Sequence, residues 1–280
     1  MIDQLIDHLD ISERRACRYV GQNRSTQRRK PAMPDEEKEL RAWLVAFAEK
    51  RPRFGYKRAH AIANKSGFRV NRKKVQRLWR EEGLKVSHKV KKRSRIGSSD
   101  TDSKRLAAEH PNHVWAIDYQ DDQTSDGKRV RFLNVVDEFT REVLAVEVRR
   151  SITADMTVQV LEELLEARGT APAFIRSDNG PELTSHALAD WCRFSGTSAA
   201  FIEPGAPWQN AYVESLNGRL RDELLNQELF YTLLEAQVLA EDWRIDHNKN
   251  HPHSALQMLS PDEFAANWRR NGTTTATPTP

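Results

Sequence analysis

Cysteine is scarce in this 280-residue chain: Cys17 and Cys192 stand far apart, outside any Cys-x-x-Cys spacing. A disulfide framework and a cysteine-based zinc finger are thereby excluded. No apolar run approaches the ~18 residues of a membrane span, and the N-terminus lacks the apolar segment of a signal peptide, so a secreted or membrane protein is not expected. A glycine-rich phosphate loop is missing, and nothing singles out one Tyr or Ser as a nucleophile. There are no leucine heptads and no internal repeat. What the chain does hold is 38% hydrophobic residues, enough for a core, and 30% charged residues with a formal net charge of +4.

That +4 is a cancellation. Residues 1–106 carry 29 Lys and Arg against 13 Asp and Glu, a net of +16, whereas residues 107–280 carry 15 against 27, a net of −12. A polyanion-binding module joined to a part with different work is the natural reading. Within the basic half, residues 10–30 read as a short helix-turn-helix, with Ile11, Ala16 and Val20 on an apolar stripe interrupted at Gly21. Residues 36–49 follow as an amphipathic helix through Leu40, Trp43, Leu44 and Phe47. A second helix-turn-helix runs from Gly55 to Leu84: Tyr56, Ala59, Ile62 and Ala63 share a face, and Asn71 caps a helix through Val75, Leu78 and Trp79. That helix carries Arg72, Lys73, Lys74, Arg77 and Arg80 outward, as a recognition helix or a solvated surface helix would. Residues 89–108 form a basic linker.

From His113 the texture changes. Strands are expected at Val114–Tyr119, Val130–Asp137 and Val143–Val148, joined by Asp126-Gly127 and by a polar Phe139–Arg141 connector. Then come a helix from Thr153 to Arg168, a strand at Ala173–Ser177, a helix near Ser185–Phe194, a strand at Ala199–Ile202, and helices over Gln209–Leu225 and Leu233–Asn248. Hairpins followed by α/β alternation predict a mixed sheet with flanking helices. The tail at 271–280 is Thr/Pro low complexity, expected to be disordered.

Three acids sit where an acid is locally unexpected. Asp118 ends an apolar strand, Asp178 ends another before Asn-Gly-Pro, and Glu214 lies beside the buried stripe Val213, Leu216, Leu220 and Leu224. Asn210, Asn217 and Arg221 share its polar stripe, which would face the sheet margin rather than open water. Carboxylates at two strand ends and on an overlying helix can converge on hard divalent cations, and two such ions support in-line phosphoryl displacement. Asp121, Asp122, Asp137 and Glu182 are of comparable local quality, and spacing alone does not choose among them.

The strings His-Val-Trp-Ala-Ile-Asp118, Asn134-Val-Val-Asp-Glu-Phe-Thr-Arg-Glu142, Ile175-Arg-Ser-Asp-Asn-Gly-Pro-Glu182 and the run from Glu203 to Leu225 resemble the second-reading-frame (OrfB) transposases of the insertion sequence 3 family. These are DDE recombinases with a retroviral-integrase-like core. The family pattern leaves thirty-five residues between the second Asp and the Glu, as between Asp178 and Glu214, and sets a basic residue seven positions later, here Arg221. Residues 12–18 and Gly55-Tyr-Lys-Arg58 resemble its N-terminal helix-turn-helix region, and His251–Leu256 with Ser260-Pro261 its closing segment. Relatives usually close with Tyr-Asn and Arg-Pro-His where His247-Asn248 and His251-Pro252-His253 stand here. We read those histidines as a helix end with a proline-led turn, since no cysteine and no acid beyond Asp246 lies nearby in the chain.

The resemblance implies a ribonuclease H-like core over 109–270, a mixed five-stranded sheet preceded by all-α DNA-binding units at 1–50 and 51–88. It selects Asp118, Asp178 and Glu214 as catalytic metal ligands for Mg²⁺ or Mn²⁺, as two ions. The activity implied is cleavage of insertion-sequence ends and strand transfer by transesterification, with no covalent enzyme intermediate. Arg221 would meet a phosphate, Asn210 and Asn217 the DNA near the cut or a structural partner, and Trp208 would pack or stack on an end base. Arg14, Arg15, Arg18, Lys57, Arg58, Arg72, Lys73, Lys74 and Arg77 would bind the terminal inverted repeats. Implied partners are DNA (terminal repeats and target), a second copy on DNA and an upstream reading-frame product (OrfA), with no membrane; the setting is the bacterial cytoplasm, on the nucleoid. Two alternatives stay open: a ribonuclease H-type nuclease that cuts without joining, and a DNA-binding regulator of a mobile element.

Overall fold

The computed structural model describes residues 2–28, 35–86, 106–178, 180, 183, 185–201 and 210–271. Most of the basic linker, Asn179, Glu182, Trp208 and nearly all of the Thr/Pro tail lie outside the described residues. The chain divides into two compact units, Met1–Phe47 and Ala48–Pro280.

In the first unit α1 (Ile2–Leu9), α2 (Glu13–Val20) and α3 (Arg24–Arg28) precede α4 (Asp35–Lys50). Helix α1 was not expected, although Ile2, Leu5 and Ile6 have helical spacing; they pack with Ile11, Ala16 and Cys17. The stripe therefore runs through Ala16 and Cys17, and Val20 is exposed rather than buried. Gly21 ends α2 in the left-handed region with φ 71°, as its place in the turn requires. Arg24 and Arg28 fold back on Glu13 at 3.3 and 2.8 Å.

The second unit opens with α5 (Tyr56–Lys65) and α6 (Arg72–Glu81), the expected helix pair. Asn71 caps α6, its Oδ1 accepting from Lys74 N at 2.8 Å, and Val75, Leu78 and Trp79 are buried. Strands β1 (Val114–Gln123), β2 (Arg129–Asp137) and β3 (Val143–Arg149) form an antiparallel meander. Then α7 (Ala154–Arg168), β4 (Phe174–Ser177), α8 (His186–Ser195) and β5 (Ser198–Phe201) complete a sheet of order β3-β2-β1-β4-β5, with β1, β4 and β5 mutually parallel. It is the mixed five-stranded sheet the sequence predicts.

Side chains alternate across the pleat. Ala116, Phe132 and Val136 face α9 (Ala211–Leu220) and α10 (Leu233–Asn250), packing on Val213, Leu216, Leu220 and Trp243. Trp115, Ile117, Leu133 and Val135 face α7 and α8, packing on Val160, Leu161, Leu188 and Trp191. The sheet is thus the middle of three layers. Two connectors depart from expectation. The helix expected through Leu225 becomes a π-helical turn over Arg221–Leu225, whose wider pitch lets the consecutive Leu224 and Leu225 both be buried. The connector over Phe139–Arg141, read from the sequence as polar, begins in the interior: Phe139 and Thr140 are buried, as is the preceding Glu138. Its charge is answered by Arg176, whose Nη1 reaches both Glu138 carboxylate oxygens at 2.6 Å.

After α10 the chain turns through Ser254–Leu256 into α11 (Pro261–Asn271). Ser260 and Glu263 form a reciprocal cap there: Ser260 N donates to Glu263 Oε2 at 2.8 Å and Glu263 N to Ser260 Oγ at 3.4 Å.

Candidate active site

Parallel pairing of β1 with β4 runs from Val114↔Phe174 to Ala116↔Arg176. Two residues further along each strand stand Asp118 and Asp178, so the register itself brings them side by side where the strands part. Such a crevice beyond the carboxyl ends of parallel strands is where open α/β sheets bind ligands. Asp118 is two residues from Ala116 and therefore on the α9 face; β1 continues past it to Gln123 instead of ending there. Val213 and Leu216 anchor α9 on that face and leave Glu214 on the outer side. Glu214 is exposed, more open to water than the sequence suggested.

Asp118 is half-buried and well held. Tyr119 N donates to its Oδ1 at 2.8 Å, and Asn217 Nδ2 to its Oδ2 at 2.7 Å. Asn217 Oδ1 in turn accepts from Asn134 Nδ2 at 2.7 Å. Burial pushes the Asp118 carboxyl up to about 6; the nearby charges of Asp178 and Glu214 push the same way, against the two hydrogen bonds. Asp178 and Glu214 are thus close enough for their charges to act on Asp118. That donor set, all oxygen and partly open to solvent, fits a hard divalent cation. Asp178 is exposed, its Oδ1 accepting from Gly180 N at 3.0 Å. A Cβ at position 180 would lie 3.0 Å from that oxygen, so any larger residue there would push the Asp178 carboxylate aside by a few tenths of an ångström.

The competing acids have other occupations. Asp137 is fully buried and accepts from the backbone N–H of Asn112, Phe139 and Thr140 at 2.7, 2.8 and 3.1 Å, shaping the turn after β2. Asp121 is held by Arg129 at 2.8 and 2.9 Å. Asp122 lies 3.9 Å from Arg221.

Arg221 is braced against β1. Its Nη2 donates to the Asp121 carbonyl at 3.0 Å, and Gln120, with its amide oxygen turned toward the guanidinium, accepts from Nε and Nη2 at 3.0 and 3.1 Å. Asn210 is buried, and its Oδ1 has no partner among the described residues. Arg14, Arg15, Arg18, Lys57, Arg72, Lys73 and Arg77 lie at the surface, and Lys74 is half-buried. Arg58 differs, turning inward over the Phe54 ring with its Nη1 3.5 Å from Glu223. Sequence reasoning missed Asn134 and Gln120. Each is a polar residue buried within a strand, the signal that could have found them.

A family profile described as Integrase core domain matches residues 108–207, a second of the same description matches 195–261, and an HTH-like domain profile matches 34–93. An insertion element IS407 protein of Burkholderia multivorans is 43% identical over 94% of this chain and 94% of its own length. An insertion element IS476 protein of Xanthomonas euvesicatoria is 39% identical over 99% of this chain and 79% of its own. The chain belongs to the insertion sequence 3 family of transposases. It is a DNA transposase, a metal-dependent DDE polynucleotidyl transferase with a DNA-binding helix-turn-helix-like region. A transposase of insertion sequence element IS904 from Lactococcus lactis is 25% identical over 84% of the chain and 97% of its own length. Among solved structures, the simian T-cell lymphotropic virus intasome shares the fold, with a TM-score of 0.50 and 19% identity over 62% of this transposase and 61% of that chain. No helix among the described residues is long and apolar enough to cross a membrane.

Proposed function

We propose that Asp118, Asp178 and Glu214 are the DDE carboxylates of this transposase and hold Mg²⁺ or Mn²⁺, as two ions, while it cuts insertion-sequence ends and joins them to target DNA. The observation that carries this reading is the Asp118 carboxyl, raised by burial and by the charges of Asp178 and Glu214 together. Bound ions supply activation of the attacking oxygen and neutralisation of charge on the leaving one. The chain's own residues do the positioning. Asn217 holds Asp118 in place through Oδ2, while Tyr119 N fixes Oδ1. Arg221, braced on β1, presents its guanidinium to a phosphate, and Asn210 and Asn217 line the approach to the cut.

The outward cations of α6 and of α2, with Lys57, supply affinity for the terminal inverted repeats. Units at 1–50 and 51–88, a basic linker at 89–108 and a core at 109–270 then act as successive DNA-binding and catalytic parts. Joining two ends to one target requires at least two copies on the DNA. An upstream reading-frame product is a further partner, and the work takes place on the bacterial nucleoid.

The test is Asp178→Asn with a labelled precut end. Strand transfer in Mg²⁺ or Mn²⁺ should vanish while end binding by mobility shift stays intact. Undiminished transfer by that variant sinks the carboxylate assignment; cutting without joining by the parent chain indicates a nuclease instead.

A further inference from the structure

Away from the carboxylates, three imidazoles meet at the end of α10. His247 lies in its last turn, His251 caps it and His253 follows, and all three are buried. His253 Nε2 is 3.2 Å from His247 Nε2, and the ring centroids are 4.5 to 5.2 Å apart. One nitrogen from each ring lies within 4.8 Å of the other two. Three ring nitrogens are buried without a hydrogen-bond partner: His247 Nδ1 and both nitrogens of His251. Buried polar atoms are ordinarily satisfied, so three orphans in one cluster call for a missing partner.

An acid is present after all. Glu223, on the π-helical turn, places Oε2 3.7 Å from His251 Nδ1 and accepts there from Trp243 Nε1 at 3.2 Å. It is remote in sequence from the histidines, which is why spacing along the chain did not reveal it.

We propose that His247, His251 and His253 bind one transition-metal ion of the zinc class, with Glu223 close by as the answering carboxylate. Three imidazoles are a donor set that zinc takes, its fourth position open to Glu223 or to water. Zinc holds imidazole nitrogens at about 2.0–2.1 Å, which puts them about 3.3 Å apart, so the widest gap must close by about 1.5 Å. The His247–His253 pair already has that separation. Burial, reinforced by neighbouring positive charge, keeps all three imidazoles below their usual range and so neutral, the form that ligates without releasing a proton. Arg58, Arg219 and Arg51 are the positive neighbours, and they oppose any added cation; Glu223 is the answering charge. The balance disfavours hard Mg²⁺ or Ca²⁺, which gain little from imidazole, and selects an ion that bonds strongly to nitrogen. Bound there, it ties residues 247–253 to the turn that continues α9, the helix of Glu214.

The experiment uses the full chain without a polyhistidine tag, purified from zinc-replete cells and dialysed without chelator. Elemental analysis should find about one zinc per chain, and Co²⁺ exchanged into the site should give tetrahedral ligand-field absorption. X-ray absorption at the zinc edge should show imidazole scattering from three rings. The Asp178→Asn chain should keep its zinc, whereas His251→Gln and His253→Gln should each lose at least about ten-fold in affinity. A parent chain that dialyses free of zinc and gives no cobalt absorption overturns the proposal. So does bound zinc that lacks imidazole scattering or is lost with Asp178→Asn. The absorption measurement on the parent chain decides even if the histidine variants fail to fold.

Discussion

Replacing Asp118 by Asn should stabilise the metal-free transposase while abolishing its chemistry. The carboxyl is raised from 3.8 to about 6, first by burial and then by Asp178 and Glu214, which penalises the ionised form by about 3 kcal/mol. Solvent reaches part of this half-buried group and screens it, so about 1–2 kcal/mol should be recovered on neutralisation. The hydrogen bonds need not be lost. The introduced amide could keep Tyr119 N on its oxygen and donate its nitrogen to Asn217, provided the Asn217 amide reverses. Asn217 Nδ2 would then face Asn134, whose Oδ1 is buried without a partner in the parent chain and becomes available when that amide reverses too. The polar chain re-forms, and the one unpaired position in it passes from Asn134 Oδ1 to Asn134 Nδ2.

The pH dependence gives the sign. Between pH 3.8 and about 6 the native state holds the Asp118 proton more often than the unfolded state does, so stability from this group falls as pH rises through that window. The advantage of Asp118→Asn should therefore be absent near pH 4, grow through pH 6 and level off by pH 8. Urea unfolding of both chains in EDTA, at fixed temperature across that range, measures the difference directly. Added Mg²⁺ should stabilise the parent and leave the variant unmoved. An Asp118→Asn chain less stable than the parent at pH 8, or a gap that does not vary with pH, would refute the claim that burial and the neighbouring carboxylates disfavour the Asp118 charge.

Other consequences can be measured independently. Gly180→Ala places a Cβ 3.0 Å from Asp178 Oδ1, so strand transfer should fall at least about ten-fold with unfolding free energy within about 0.5 kcal/mol of the parent. Arg176→Met takes the guanidinium away from the buried Glu138 carboxylate, and urea unfolding should show a loss of about 3–5 kcal/mol, partly restored by adding Glu138→Gln. Lys73→Ala on the outer side of α6 should lower the slope of log affinity against log salt by about 0.9. Arg51→Ala should leave that slope unchanged and cost stability instead, because Arg51 is already held by Asp246 at 2.6 Å through both Nη atoms.

Local periodicity made most of the architecture legible. Alternating apolar residues marked β1 to β3, and the stripe Val213, Leu216, Leu220 marked the helix that carries Glu214. Asp118 and Asp178 stood out because each follows an apolar strand, but only the family resemblance set them above Asp121, Asp122, Asp137 and Glu182; parallel pairing then places them at adjoining strand ends. What escaped depends on contacts between distant segments. The burial of Glu138 was not legible because the charge that answers it, Arg176, sits on another strand. Asn134 and Gln120 gain meaning only once α9 is laid across the sheet. Helix α11 was legible and overlooked: Ser260-Pro-Asp-Glu263 carries both a capping box and a proline at the first helical position.

The charge split of +16 against −12 also changes meaning in the folded chain. Several cations of the basic half are spent on acids of the other: Arg51 on Asp246, Arg58 on Glu223 and Lys65 on Glu263. These pairs seat α5 against the core and are unavailable to phosphate. Others stay turned outward, among them Arg72, Lys73 and Arg80 on α6 and Arg14, Arg15 and Arg18 on α2. The acidic half resolves in the same way. Asp121, Glu138 and Glu142 are matched by Arg129, Arg176 and Arg168, and Asp137 by backbone N–H groups. Asp118 instead has the charges of Asp178 and Glu214 acting on it, which a divalent ion would answer.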